Sequence, residues 1–209
     1  FFYLFLIYQG VRLVNWCPRC ATALSDIEVE HEDRAGKLWH IRYPFANGAG
    51  DGVVVATTRP ETLLGDTAVA VHPGDERYAA LIGKELLLPL MNRVIPVVGD
   101  DAIDSAFGTG AVKVTPAHDA TDFDIGQRHK LPHEQVIGYD GKMSARAGRY
   151  AGLSVKDARE KVVADLEAKG LLVKIDDHRH AVAVCYRCAT AIEPLESSQW
   201  FLKTAEMAV

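Results

Sequence analysis

All four cysteines of the chain fall in two CxxC pairs, Cys17/Cys20 and Cys185/Cys188, set in near-copies of one octapeptide, CPRCATAL and CYRCATAI. Two-residue spacing lets both thiolates of a tight turn converge on one ion, and two such turns complete a tetrahedral four-thiolate zinc site. With a domain's length of sequence between them, the pairs would clip together two distant segments. Two redox motifs or a disulfide pair are the alternatives. A redox CxxC normally opens a helix beside a βαβ unit, whereas strand-like residues follow each pair here. Four thiolates leave no open coordination position, so a zinc held this way is structural.

A second group of reactive side chains lies in GTGAVKVTPAHDATDF, from Gly108 to Phe123. Strand periodicity turns Val112 and Val114 one way and Ala111, Lys113 and Thr115 the other. Asp119 and Asp122, three residues apart, share one side of a helix that starts there. Lys113, Thr115, Asp119 and Asp122 can therefore converge on one polar pocket. The blander reading is a solvated strand face with Asp119 as an ordinary N-cap. His118 adjoins this group without an identifiable base or nucleophile partner in the sequence. In ATTRPET, the residues Thr57, Thr58, Arg59 and Glu61 occupy a strand-to-helix turn. Free backbone N–H groups and an arginine there suit an anionic or carbonyl group, and a plain capped turn explains them equally well. Neither cluster contains a recognisable nucleophile and base, and the chain has no Walker loop and no GxGxxG.

The elements that must position these residues are mostly strands. Val53–Thr58 is a β-branched run ended by Arg59-Pro60, and proline at a first turn predicts a short helix up to Gly65. Strands are expected at Thr67–Pro73, in LLLPLM, in RVIPVVG and at Gly108–Pro116. One amphipathic helix is expected in SVKDAREKVVADLEAKG, with Ser154 as cap, Val155, Ala158, Val162 and Leu166 on its apolar face, and Gly170 after its end. LLVKI and HAVAVCY read as two further strands leading to the second cysteine pair. Without regular βα alternation, the expected class is α+β and β-rich: a compact β-barrel-like core with peripheral helices on a zinc-clasped stalk. The expected organisation is residues 1–45 as stalk with the first CxxC, 46–180 as core, and 181–209 as returning stalk.

At 209 residues, 48% hydrophobic and net charge −5, the chain can bury one sizeable core or a core with a satellite. Its acidic balance argues against gripping nucleic acid by charge alone. The apolar opening FFYLFLIYQG lacks the basic region and cleavage pattern of a signal peptide and reads as a cut through a longer protein. No apolar run reaches the roughly 20 residues needed to span a bilayer, so no membrane partner is expected.

WCPRCATALSDIEVE, ATTRPETLLGDTAVAVHP, GTGAVKVTPAHDATDFDIGQRHKLP and CYRCATAIEPLESSQWFLK together resemble the inserted editing domain of valyl-type class I tRNA synthetases. The resemblance covers nearly the whole chain. The family's His-Ile-Gly-His motif is absent. KMSAR at Lys142 to Arg146 matches only part of the Lys-Met-Ser-Lys-Ser loop and reads as a turn, so no aminoacylation is expected.

What the resemblance implies is hydrolysis of threonine from mischarged tRNA(Val) in the cytoplasm, the partners being the aminoacylated 3′ end of the tRNA and the rest of the synthetase. It is a known property of these enzymes that their hydrophobic synthetic site rejects the hydroxyl-bearing isostere by only about a hundredfold, hence a second sieve. In this assignment Asp122 clamps the ammonium group, Lys113 and Thr115 read the threonine hydroxyl, and Asp119 orients them. Phe107 shapes the pocket, His118 is counted with the substrate-binding residues, Thr57, Thr58, Arg59 and Glu61 face the terminal adenosine, and Cys17, Cys20, Cys185 and Cys188 hold structural zinc. Leucyl types resemble this pattern with apolar residues at the positions of Lys113 and Thr115, and isoleucyl types with Thr-Pro-Trp in place of Arg59-Pro60-Glu61. Those two types, a non-catalytic zinc-clasped tRNA-binding module and a structural spacer domain are the competing readings.

Overall fold

The computed structural model describes residues 6–204; half of the apolar opening run lies outside the described residues. The class is α+β and β-rich, with three open sheets; among the described residues no sheet closes into a barrel. No helix among them is long and apolar enough to cross a membrane.

The first sheet is built on β1 (Ile7–Cys17), which pairs antiparallel with β10 (Glu193–Leu202) and with the short β2 (Thr22–Leu24). The second is built on a long ribbon. Here β3 (Val29–Tyr43) pairs antiparallel with β9 (Leu172–Cys185) and at its inner end with β4 (Val53–Thr57). The third has the order β6 (Glu85–Leu87), β7 (Val94–Gly99), β5 (Ala68–Val71), β8 (Ala111–Val114), with β5 and β7 parallel and the other pairs antiparallel.

LLVKI and HAVAVCY, expected as two strands, form the single strand β9. The polar residues between them continue the ladder, and Lys37 and Asp177, directly opposed in the register, meet at 2.5 Å. LLLPLM is half strand and half turn. Pro89 has no N–H for a ladder, β6 ends at Leu87, and the chain reverses through Leu90 and Asn92 at positive φ before Arg93 accepts from the Leu88 N–H. The helix after Ser154 forms as expected, as α2 (Val155–Ala168). The Ser154 hydroxyl accepts from the Asp157 N–H at 3.1 Å, and Ala158, Val162 and Leu166 are buried in the main core.

The two faces of β8 go to different places. Val114 and its partner Ala68 join a small core with Ile103 and Ile125, under the helix α1 (Ala120–His129). The opposite face, with Ala111, meets the main core of Tyr43, Val55, Leu63 and Val69, and carries Lys113 at its edge. A third cluster packs Leu24 and Ile192 around the buried Cys17 and Cys185.

Candidate functional site

A cavity of ≈ 430 Å³ opens between β8, the start of α1, the turn after β4 and the loop before β8. Of the residues expected to act on substrate, Thr57, Thr58, Arg59, Phe107, Lys113, Thr115, His118, Asp119 and Asp122 line it. Leu38, Ile103 and Asp104 line it too, contributed by elements whose sequence carries no motif, and Thr121 joins them from within the Gly108–Phe123 stretch.

Alternation along β8 and into the residue after it brings Lys113 and Thr115 to one side, both nearly inaccessible, and Lys113 Nζ donates to Thr115 Oγ1 at 2.5 Å. Beneath them lies Asp66, fully buried just after the short 3-10 helix Pro60–Gly65. One of its carboxylate oxygens accepts from the Thr115 hydroxyl at 2.5 Å and from Lys113 Nζ at 3.3 Å; the other accepts from the Tyr43 hydroxyl at 2.6 Å. Burial pushes the Asp66 carboxyl above its ordinary range, while Lys113 and the two hydroxyls work against that. Tyr43 is driven well above the usual phenol range by burial and by Asp66, so its hydroxyl keeps its proton and donates.

Asp119 caps α1: its side chain accepts from the Asp122 N–H at 3.0 Å. The cap turns Asp122 inward, where its carboxylate accepts from the Thr115 N–H at 2.8 Å. Asp122 is pushed up to about 7 by burial, with Asp119 and Asp66 adding to the rise and Lys113 opposing it. It is thus a carboxyl close to its titration midpoint at neutral pH, beside a cationic Lys.

His118 Nε2 accepts from the N–H groups of Val136 (2.8 Å) and Ile137 (3.2 Å), so the proton sits on Nδ1, which faces the Pro194 carbonyl at 3.4 Å. Burial, then Arg59 and Lys113, lower its pKa to about 3. Both ring nitrogens are engaged by backbone and the ring is neutral, so no lone pair remains for proton transfer.

Arg59 borders the cavity, but its guanidinium is spent on Glu193, Glu61 and the His118 carbonyl. Glu61 has no exposed surface and lies behind the cavity wall, gripped by Arg159. The turn satisfies itself: Thr57 Oγ1 accepts from the Arg59 N–H and the Thr62 hydroxyl donates to the Arg59 carbonyl. Phe107 stands half-exposed at the rim on a loop that touches β4. A Cβ at Gly108, whose φ is +59°, would lie 3.0 Å from the Ala56 side chain.

The four cysteines gather as their spacing predicts, with sulfur atoms all within 4.8 Å of one another. Cys188 Sγ lies 3.6 Å from both Cys17 Sγ and Cys20 Sγ, far beyond a disulfide bond and near the edge of a tetrahedron with zinc–sulfur bonds of about 2.3 Å. The two turns repeat one another: Ala21 and Ala189, each directly after its pair, adopt φ of +50° and +53°. This donor set fits a structural metal and leaves no place for a catalytic one.

Asp66, Tyr43, Arg159 and Glu193 went unseen in the sequence reading. Asp66 does fall within LLGDTAV, directly after the predicted short helix, and an acid followed by an apolar strand is the one signal it left.

Residues 5–209 match the family of class I tRNA synthetases of the isoleucyl, leucyl, methionyl and valyl types. The chain is 61% identical over 203 residues to a protein described as Valine--tRNA ligase from Geobacter sulfurreducens, covering 97% of the chain and 23% of that relative. It is 58% identical over 203 residues to the Valine--tRNA ligase of Dehalococcoides mccartyi strain ATCC BAA-2266, and 56% to that of Thermotoga maritima, with the same coverage. The chain therefore spans about a quarter of the length of these relatives.

Proposed function

The chain belongs to the class I tRNA synthetases, and on that premise we propose that it is the inserted editing unit of a valyl-type enzyme, which hydrolyses threonine from mischarged tRNA(Val). The observation that carries this reading is the convergence of Lys113, Thr115 and Asp122 on one cavity, with the exposed cap Asp119 at its mouth. A cation, a hydroxyl and an invertible carboxyl beside a ≈ 430 Å³ space suit a small amino acid that brings an ammonium group and a side-chain hydroxyl.

Hydrolysis of an aminoacyl ester is downhill, so the site has to supply position and electrostatics. In its ionised form Asp122 clamps the substrate ammonium, and that cation in turn favours the ionised form. Lys113 and Thr115 meet the threonine hydroxyl, and Asp119 fixes Asp122 through the helix cap. Water is the nucleophile. His118 is excluded as its base by its two backbone contacts, so it acts as a brace for the cavity floor. Phe107, Thr57 and Thr58 offer surface to the terminal adenosine at the rim, and Arg59 with Glu61 stiffens that wall from behind.

Zinc at the four cysteines would cross-link the outgoing and returning stalks, residues 1–45 and 181–209, on either side of an editing core at 46–180. The remainder of the synthetase and the tRNA 3′ end are its partners, in the cytoplasm. The test is deacylation of Thr-tRNA(Val) against Val-tRNA(Val), with Lys113→Ala and Asp122→Ala as controls. Threonine-selective release that is lost in both variants supports the assignment; equal rates for the two esters, or variants as fast as the parent, would defeat it.

A further inference from the structure

Hydrogen-bond arithmetic around the buried carboxylate assigns a role to a residue outside the cavity. A lysine ammonium has three N–H donors, and a threonine hydroxyl has one donor and two lone pairs. Lys113 places one donor on Thr115 Oγ1 and one on Asp66, which leaves a single N–H. Thr115 gives its only proton to Asp66 and uses one lone pair for Lys113, which leaves a single lone pair. Both residues line the cavity, whereas Asp66 does not. Tyr43 donates to the far oxygen of Asp66 from inside the core, on the side away from the cavity.

We infer that Asp66 is the positioning residue that makes this cavity a reader of hydroxyl groups. It fixes the Thr115 proton inward and tethers Lys113, so that the cavity meets one N–H donor and one lone pair side by side. A substrate hydroxyl is complementary to that pair, accepting from Lys113 and donating to Thr115. A methyl group in its place satisfies neither, and leaves two desolvated polar groups unpaired. Without Asp66 the Thr115 hydroxyl is free to rotate its own proton toward the cavity, and the two positions no longer present one donor and one acceptor. This rests on the editing reading for the identity of the amino acid, not for the geometry.

The test is a binding measurement, which separates it from hydrolysis. The probes are the 3′-aminoacyl amides of 3′-amino-3′-deoxyadenosine carrying threonine or 2-aminobutyrate, which differ by the hydroxyl alone and contain no ester to hydrolyse; calorimetry gives their affinities for the 209-residue chain. The parent is expected to prefer the threonine probe by about tenfold or more, the ordinary value of satisfying rather than stranding such a pair. Asp66→Ala, which removes the acceptor altogether, is expected to bring that ratio to within about threefold of unity with little change for 2-aminobutyrate. Tyr43→Phe removes another hydrogen bond from the same carboxylate, away from the cavity, and should lower the melting temperature while keeping the ratio. A ratio unchanged in Asp66→Ala, an equal loss of both probes, or a ratio lost equally in Tyr43→Phe would each overturn the inference. A parent that prefers the threonine probe yet releases no threonine from its tRNA ester would defeat the editing reading and leave this one standing.

Discussion

Glu61 and Arg159, 98 residues apart in sequence, form a two-pronged pair in which the Nε and Nη2 groups of the guanidinium each donate to one carboxylate oxygen at 2.8 Å. Glu61 is wholly buried, whereas the Arg159 side chain is about one-third exposed (36%). The same carboxylate takes a bond from Arg59, whose guanidinium reaches on to Glu193 at the head of β10. Two acids and two bases thus fasten the wall of the cavity to helix α2 and to the strand that returns from the second cysteine pair. Burial pushes Glu61 up, but Arg159 and Arg59 outweigh it and hold the carboxyl below its usual range.

Removing that carboxylate strands the Arg159 guanidinium and takes one of three partners from Arg59, which keeps Glu193 and the His118 carbonyl. Glu61→Gln is expected to cost about 3–5 kcal/mol, the usual range for breaking a buried ion pair from one side. Arg159→Ala should cost less, since water replaces part of what it loses. Urea unfolding of the two variants checks the order; equal, sub-kilocalorie losses would show that the network adds nothing to stability. Because the Glu61 carboxyl is lowered on folding, its contribution is present above the ordinary glutamate range and fades as pH falls through the folded value.

Asp122 has the opposite sign. With a pKa of about 7 in the fold against 3.8 as the ordinary value, the folded chain binds the extra proton between those limits, and stability from this group declines as pH rises across them. Asp122→Asn should therefore melt higher than the parent at pH 8 and show a smaller gain at pH 4. Its threonyl-ester hydrolysis should be lost at both. In the parent, kcat/KM should climb with pH through about 7 as the clamp ionises. A profile flat from pH 6 to 8 would remove Asp122 from the role of ammonium clamp.

Metal analysis should find one zinc per chain. Chelation, or Cys20→Ser, is expected to lower the melting temperature through loss of the small core around Cys17, Leu24, Cys185 and Ile192. Intact-mass measurement that instead finds disulfides under reducing-agent-free native conditions, with no metal, would rule the clasp out.

Ala21 and Ala189 each occupy the left-handed region, where a β-carbon costs roughly 1–2 kcal/mol, against roughly 0.5–1 kcal/mol of chain entropy lost by introducing glycine. Ala21→Gly and Ala189→Gly should therefore each stabilise the metal-loaded chain by about 0.5 kcal/mol. Destabilisation with metal retained would mean that the methyl groups pack usefully and the strain argument is misplaced.

The acting side of the cavity was legible because it is written in short-range periodicities. Alternation on β8 pairs Lys113 with Thr115, and a three-residue step pairs Asp119 with Asp122 across a helix cap. The cysteine clasp was legible from spacing. What supports them was not, because the contacts of the unseen residues are long-range: Asp66 meets Thr115 across 49 residues, and Arg59 meets Glu193 across 134. A buried acid and a surface acid look alike in sequence. The ribbon was misjudged for a related reason. Its outer half is charged on both faces, so no apolar alternation marked β3, and β9 read as two pieces; direct charge pairing across the strands supplies the signal that hydrophobicity lacked.

In water at pH 5 an imidazole carries a proton and a carboxylic acid has lost one. The ring of His118 and the carboxyl of Asp122 invert that order, at about 3 and about 7. Across the intervening span neither of these two groups bears charge, and Asp122 offers no anion to balance Lys113. Mildly acidic crystallisation drops would thus discourage cationic ligands from this cavity, and soaking experiments belong on the alkaline side of neutrality.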